Sequence, residues 1–193
     1  MNGVAVVTWG AVPPQPWRNG GGVTRELLAW PAGAPWQCRI SVADIERDGD
    51  FSAFPGVERW FAVVAGAGVE LVFASGALRL SPDSEPYRFD GELAPGCRLI
   101  AGPTRDLNLM AQQSAGRAEM QRVLPGVTWH STAALRAVFT AGALNLQLGG
   151  NDTCAMPAGA LAWSDTDAGA PWQCELPADA APAWWLAFHR HAA

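Results

Sequence analysis

The sequence of 193 residues contains no lysine: all 13 of its basic residues are arginine. A chain without lysine cannot use a lysine amine, which excludes Schiff-base chemistry, attachment of pyridoxal phosphate and a phosphate-binding loop of the Walker type. A bias in genome composition would produce the same absence, so it excludes functions without indicating one. The arginines that remain are planar donors suited to carboxylate or phosphate.

Long apolar runs and a basic N-terminal segment are also missing. No stretch approaches the roughly 20 apolar residues of a membrane-spanning helix, and the N-terminus lacks the features of a signal peptide. The net charge of −5 argues against nucleic acid or an anionic membrane surface as a partner. The four cysteines are scattered without a CxxC pair and predict reduced, mostly buried thiols rather than a disulfide framework or a zinc site. We therefore expect a cytoplasmic protein that binds neither nucleic acid nor membranes.

Glycine and proline, by contrast, are frequent, with 21 and 15 residues, and they divide the chain into short segments of alternating residues. Alternation with period two is typical of β-strands. The segments ELLAW at 26–30 and STAALRAVF at 131–139 allow a short helix as the alternative. The pattern predicts sixteen strands, at residues 3–8, 23–30, 37–45, 58–65, 68–73, 77–81, 86–90, 97–101, 106–112, 118–123, 127–131, 135–140, 143–148, 159–163, 171–176 and 184–190.

These strands divide into two sets, which predicts an all-β fold of two barrels with little helix. The pentapeptide APWQC occurs at residues 34–38 and again at 170–174, which indicates either duplication or chance in a chain rich in tryptophan and alanine. We predict a first barrel at residues 1–120 that carries the ligand site. A second, smaller barrel at residues 121–193 follows without a linker.

The stretch from Trp17 to Arg59 concentrates polar groups of the kind that bind small anions. A glycine triplet at residues 20–22 allows the backbone to approach a ligand closely or to adopt positive φ, with a plain flexible turn as the alternative. Arginines at positions 18, 39 and 59 provide planar forks for a carboxylate. Because eleven of the 13 arginines precede residue 125, we place the site in the first half.

Strand alternation groups the candidate side chains. Arg39 and Ser41 share one face of the segment CRISVAD, and Asp106, Asn108 and Met110 share one face of RDLNLMAQQ. If these polar faces point outward, they are solvated surface. If they point into a barrel, they line a polar cavity.

Four motifs, PWRNGGGVTREL, WQCRISVADI, DGDFSAFPGVERW and RDLNLM, resemble in order and spacing the HutD/Ves family of cupin-like proteins. The resemblance covers residues 7–112, with a looser match through MPAGALAWSD at 156–165. It implies a two-barrel, RmlC-like cupin (bicupin) fold. It also implies a link to bacterial histidine utilisation, in which members of the family resemble regulators rather than pathway enzymes.

The ligand implied by the resemblance is a small acidic intermediate such as N-formylglutamate, or the related formate or urocanate. Motif positions expected to line the first-barrel cavity as ligand-binding residues are Arg18, Asn19, Thr24, Glu26, Arg39, Ser41, Ser52, Phe54, Arg59 and Asn108.

Many cupins bind a metal through histidines and a glutamate, but the first 125 residues contain no histidine. We therefore expect no metal in the first barrel, and no cofactor. His189 and His191 lie near the C-terminus with no carboxylate at metal-ligand spacing, and we predict a frayed tail there.

The preferred hypothesis is a metal-free binding protein in which Arg39 and Arg59, with Arg18, clamp a carboxylate. The second hypothesis is a metal-free cupin enzyme acting on a small carboxylic acid, with Glu26 or Asp44 as the base. The sequence leaves open whether any reaction is catalysed, and it favours binding without catalysis.

A third hypothesis treats the chain as a protein-interaction module. In that case Trp184 and Trp185 would form a contact patch or a homodimer interface. The alternative is that both tryptophans belong to the core of the second barrel.

Overall fold

The computed structural model describes residues 3–33, 35–149, 152–166, 169–177 and 179–192. Within these residues the chain forms nineteen β-strands and two short 3-10 helices, at Trp9–Ala11 and Gly91–Leu93, and no α-helix. The strands are β1 (Ala5–Thr8), β2 (Gln15–Pro16), β3 (Gly22–Trp30), β4 (Cys38–Ile45), β5 (Gly49–Asp50), β6 (Val57–Ala65), β7 (Val69–Phe73), β8 (Gly76–Leu80), β9 (Tyr87–Asp90), β10 (Gly96–Leu99), β11 (Thr104–Gln112), β12 (Gly116–Arg122), β13 (Thr128–Trp129), β14 (Leu135–Thr140), β15 (Leu144–Leu148), β16 (Thr153–Met156), β17 (Ala160–Ser164), β18 (Trp172–Glu175) and β19 (Ala183–Arg190).

The all-β prediction is confirmed. Each of the sixteen predicted strands corresponds to an observed one, and the two segments that allowed a helix contribute to β3 and β14. The strands that the pattern missed are β2, β5 and β16. Two of these are only two residues long, which is too short for an alternating pattern to emerge.

Contacts divide the chain into two compact units. The first unit is Val12–Gly116, and the second comprises the N-terminal segment up to Ala11 together with Arg117–Ala193. The sequence-based division placed residues 1–11 with the first barrel instead. Strand β1 pairs with β17 in antiparallel register, so the N-terminal segment is an edge strand of a sheet in the second unit.

The first unit is built from two antiparallel sheets. One has six strands in the order β2-β3-β4-β11-β6-β9, and the other has four in the order β5-β10-β7-β8. A cluster of apolar side chains that includes Phe61, Val69 and Leu71 fills part of the space inside the unit. Burial of these side chains supplies the main driving force for folding.

The second unit repeats the two-sheet arrangement. Its five-stranded sheet has the order β1-β17-β14-β19-β12, and its four-stranded sheet the order β13-β18-β15-β16. Trp129 and Trp185 stack at 4.8 Å between ring centroids in its core, against Trp172. Trp184 and Trp185 are 0% and 2% exposed, so the contact patch proposed for this pair is wrong. The homodimer itself stays a prediction.

The APWQC repeat does not mark equivalent positions in the two units. Its first copy leads into β4 of the six-stranded sheet, whereas its second copy leads into β18 of the four-stranded sheet. Equivalent strands of a duplicated barrel would lie in corresponding sheets. The five-residue match is therefore not a trace of duplication, although the fold is double.

Two expectations about reactive side chains have different outcomes. Cys38, Cys97 and Cys174 are buried free thiols, as predicted, and burial raises the pKa of each above its ordinary value. The predicted frayed tail is wrong for His189, which lies in β19 with its Nε2 3.5 Å from Glu119 Oε2. Across the described ranges, no helix is long and apolar enough to span a membrane.

Candidate functional site: an arginine-lined cavity

The first unit contains an open cavity of about 620 Å³ along one face of its six-stranded sheet. Strands β3, β4, β6 and β11 form one wall of it, and residues 15–19, 50–52 and 54 complete the lining. The residues that line it are Gln15, Pro16, Trp17, Arg18, Asn19, Thr24, Arg39, Ser41, Ala43, Asp50, Phe51, Ser52, Phe54, Arg59, Asp106, Asn108 and Met110.

Nine of the ten residues predicted to bind a ligand lie on this cavity, and Glu26 is the exception. The strand alternation explains the grouping. In the six-stranded sheet, Ser41 on β4 lies opposite Asn108 on β11. Met110 on β11 lies between the two arginines, opposite Arg39 on β4 and opposite Arg59 on β6. Residues that are directly opposite each other share a face, so the polar faces of these strands turn inward. The two arginines belong to one wall of one cavity.

Arg59 lies in this wall and is 6% exposed. Its Nη2 donates a hydrogen bond of 2.7 Å to Asn108 Oδ1, whereas Nε and Nη1 have no hydrogen-bond partner in the described part of the chain. The guanidinium carbon lies 5.1, 5.7 and 5.0 Å from the ring centroids of Phe51, Phe54 and Phe89. Burial lowers the pKa of Arg59 to about 10, which still leaves it charged at neutral pH.

Asp106 lies beside Arg59 and was not among the predicted site residues. Its carboxyl group is 1% exposed, and Oδ1 accepts a hydrogen bond from Asn108 Nδ2. Oδ2 has no hydrogen-bond partner among the residues that the structure describes. Burial raises the pKa of Asp106 to about 8, and attraction to Arg59 opposes this only in part. The sequence could have indicated Asp106 as a site residue, because strand alternation places it on the same face as Asn108.

Arg39 also lines the cavity, with 19% of its side chain exposed. Its Nε is 2.9 Å from Glu26 Oε2, close enough for an ion pair, but the N–H is not aligned for a hydrogen bond. Glu26 does not line the cavity. It therefore acts on Arg39 rather than on a ligand, and its predicted role as a contact residue has no geometric support.

The exposed loop residues that line the cavity include Arg18, Asn19 and Ser52. Thr24 accepts a hydrogen bond of 2.7 Å from Trp17 Nε1, so this indole is held against β3. Asn19 Oδ1 accepts a hydrogen bond from the Gly21 amide, which closes a turn by a side-chain acceptor.

The glycine triplet shapes the backbone and does not line the cavity. Gly20 has φ of +69°, and a Cβ on Gly22 would lie 2.2 Å from the carbonyl oxygen of Asp44. Both positions therefore require glycine for reasons of conformation or space. The functional alternative for this triplet was a backbone that closely approaches a ligand. This geometry does not support it, because none of the three glycines lines the cavity.

Asp44, one of the two bases considered for an enzyme, lies outside the cavity. It accepts hydrogen bonds of 2.7 Å from Arg25 Nη1 and 2.6 Å from Arg105 Nε. Burial alone would raise the pKa of Asp44, but the hydrogen bonds of Arg105 and Arg25 outweigh it and hold that pKa below its ordinary value. Asp44 is therefore an ion-pair partner of two arginines, on the face of β4 that points away from the cavity. Glu26, the second candidate base, is likewise engaged by Arg39.

Charge in the cavity favours an anion. Three arginines and two aspartates, Asp50 and Asp106, line it, which gives a formal charge of +1 when Asp106 is ionised and +2 when it is protonated. Hydroxyl and amide groups of Thr24, Ser41 and Asn108 add neutral hydrogen-bonding capacity. Among the described residues, no three His, Cys, Asp or Glu side chains are grouped so as to hold a metal ion.

Comparison with known proteins connects this architecture to a family. A family model described as HutD matches residues 10–183. An uncharacterized 21.2 kDa protein from the hutC 3′ region of Pseudomonas putida is 36% identical over 113 residues, which cover 56% of this chain and 58% of that protein. Protein Ves of Citrobacter koseri is 33% identical over 112 residues, covering 57% of this chain and 59% of that protein. The matched segment thus spans less than two thirds of these curated relatives.

Solved structures extend the likeness over nearly the whole chain. HutD from Pseudomonas fluorescens SBW25, in a formate condition, matches with a TM-score of 0.84 and 28% identity over 98% of this chain and 100% of that one. A conserved protein of unknown function from Pseudomonas aeruginosa PAO1 has a TM-score of 0.86 and 24% identity over the same shares of the two chains. A mutant of Bacillus subtilis oxalate decarboxylase has a TM-score of 0.63 and 10% identity over 97% and 78%. The predicted two-barrel, cupin-like fold is confirmed.

Proposed function

This chain belongs to the HutD family, and we propose that the cavity of its first unit binds a small carboxylate metabolite. We further propose that binding serves regulation of histidine utilisation, with an intermediate such as N-formylglutamate as the ligand. One relative comes from a hutC region, and the solved structure of another is from a formate condition. Both observations support the proposal. The scattered free cysteines support a cytoplasmic location.

One observation carries the proposal: the guanidinium of Arg59 is buried without a direct bond to any carboxylate of the described chain. It has one neutral hydrogen-bond acceptor, Asn108, and two N–H groups without partners. Asp106 attracts this guanidinium without bonding to it directly, and buried N–H groups of a charged side chain are unfavourable when they have no acceptor. An anion that enters the cavity supplies the missing partner, and charge-assisted hydrogen bonds to it would each contribute about 1.5–3 kcal/mol.

The size and walls of the cavity fit a small acid. A volume of about 620 Å³ lies within the range of small-molecule sites. Arg59 is buried, Arg39 is partly buried and Arg18 is exposed, so both buried and accessible positive charges line the cavity. The aromatic rings around Arg59 exclude water from its guanidinium and strengthen its hydrogen bonds.

Isothermal titration calorimetry tests the proposal with N-formyl-L-glutamate, formate and urocanate as probes. We expect the wild type to bind at least one of them, and Arg59→Met, which keeps length but removes the charge, to bind it at least about tenfold more weakly. Arg79→Met is the matched control, because Arg79 is 76% exposed and pairs with Glu70 outside the cavity. Equal binding by Arg59→Met and wild type, or no binding of any probe, would refute the proposal.

A metal-free enzyme acting on a small carboxylic acid is the second candidate, and Asp106 favours it. A buried carboxyl group in a cavity, with its pKa raised to about 8, is of the type that exchanges protons with substrates at neutral pH. Incubation with the same three acids, followed by NMR, distinguishes the two functions. Sustained conversion that Asp106→Asn abolishes would establish catalysis, and unchanged spectra would support binding alone.

A further inference from the structure

Asp106 and Arg59 lie side by side in the same cavity wall without bonding to each other directly. Asn108 separates them: it accepts a hydrogen bond from Arg59 Nη2 and donates one to Asp106 Oδ1. Asp106 Oδ2, like Arg59 Nε and Nη1, has no hydrogen-bond partner within the described ranges. Both side chains are more than nine-tenths buried. The buried cation thus has one acid of the chain near it, and a cavity in which a second acid can bind.

Two negative charges beside one guanidinium repel each other strongly where water is excluded. We propose that a bound carboxylate takes the place of Asp106 as the counterion of Arg59, and that Asp106, wherever it is ionised in the free protein, takes up one proton from solvent as the ligand binds. This inference rests on the proposed function, because it concerns the same cavity. Protonated Asp106 offers a hydrogen-bond donor to the anion in place of an acceptor that would repel it.

The surroundings of Asp106 favour its protonated form. Burial raises its pKa to about 8, so the neutral form is readily reached. The nearest thiol, Cys97, has its pKa raised by burial to about 12 and does not compete. The charged and titratable groups around Asp106 are Arg59 on β6, Arg39 and Asp44 on β4, Cys97 on β10 with Asp48 beside it, Asp50 on β5, and Arg18 in the loop before β3.

Because ligand binding is coupled to protonation of Asp106, the affinity for the ligand depends on pH. Affinity stays constant while free Asp106 is already protonated, and it falls once the pH exceeds the pKa of the free carboxyl group. We expect about tenfold weaker binding at pH 9 than at pH 7. The guanidinium stays mostly charged in this range, because burial lowers the pKa of Arg59 only to about 10.

Calorimetry of N-formyl-L-glutamate binding to the wild type and to Asp106→Asn at pH 7 and pH 9 tests the proposal. Asparagine has the shape of a protonated aspartate and supplies an N–H donor, but it does not ionise. The wild type should lose about tenfold in affinity between the two pH values, whereas the variant should bind equally at both. At pH 9, titrations in two buffers of different ionisation enthalpy should show nearly one proton taken up per ligand by the wild type.

The outcomes separate this inference from the proposed function. Binding by the wild type with no proton uptake at pH 9 would overturn the inference and leave the proposed function standing. The same pH dependence in wild type and Asp106→Asn would do likewise. If the wild type binds none of N-formyl-L-glutamate, formate and urocanate at pH 7, both are overturned; if it binds only formate or urocanate, that acid replaces N-formyl-L-glutamate in the same titrations. Because the buffer comparison uses the wild type alone, the inference remains testable even if the variant does not fold.

Discussion

Arg59 Nη2 donates a hydrogen bond of 2.7 Å to Asn108 Oδ1 across the adjoining strands β6 and β11. The amide nitrogen of Asn108 then donates to Asp106, so one neutral side chain bridges a buried cation and a buried acid. These polar groups of the cavity wall therefore form one connected network, and removal of its central member affects both neighbours.

Asn108→Ala should lower the free energy of unfolding by about 2–3 kcal/mol, because it leaves a buried donor and a buried acceptor unpaired. Urea denaturation at pH 7 measures this. Asn145→Ala is the matched control: Asn145 is exposed and bonds to an exposed glutamate, so its loss should change stability by less than about 0.5 kcal/mol. Equal effects of the two substitutions would show that the network contributes nothing to stability.

Arg39→Ala should leave the fold intact and weaken binding of N-formyl-L-glutamate by at least about tenfold, because it removes a charged donor from the cavity. Circular dichroism checks the fold, and calorimetry measures the affinity. Glu26→Gln provides the control, since it keeps Arg39 and removes only the carboxylate 2.9 Å away. That variant should bind at least as tightly as the wild type. Equal affinity of Arg39→Ala and wild type would contradict the assignment.

Asp106 should make the protein less stable as pH rises from about 4 to about 8. The folded state, in which burial raises the pKa from 3.8 to about 8, holds a proton over this range that the unfolded state releases. Stability is therefore lost with rising pH, by at most about 1.4 kcal/mol per pH unit. Asp106→Asn should be progressively more stable than wild type between pH 5 and pH 8, measured by urea denaturation. A difference that stays constant with pH would contradict this prediction.

Asp44 should have the opposite pH dependence. Hydrogen bonds from Arg105 and Arg25 hold its pKa below the ordinary value despite burial, so its contribution is present above pH 3.8 and is lost as pH falls through the lower folded-state pKa. Asp44→Asn should cost about 1–2 kcal/mol at pH 7, because the group is partly exposed, and much less at pH 2.5.

Glu70→Gln tests the specificity of that effect by removing a carboxylate whose partners, Arg79 and Arg98, are mostly exposed. This change should have little effect on stability at either pH. If Asp44→Asn cost as little as Glu70→Gln at neutral pH, the two-arginine site would have no special role in the sheet.

Much of this molecule followed from local pattern. Period-two alternation located sixteen strands, because a strand that is half-buried repeats its polarity every second residue. The same alternation placed Arg39 with Ser41, and Asp106 with Asn108, on common faces. The motifs in residues 7–112 identified the family, and a chain without lysine excluded whole classes of chemistry.

Only the tertiary structure decided which face of each strand lies inside, because that depends on what packs against it. On β4, both faces are largely buried, and the polar one turns toward the cavity while Asp44 pairs with arginines on the other side. Burial in three dimensions also separates the two aspartates: it raises the pKa of Asp106, whereas arginine partners lower that of Asp44. Alternation assigns a side chain to a face, but the dielectric environment and the ion-pair partners of that face arise only when distant strands meet.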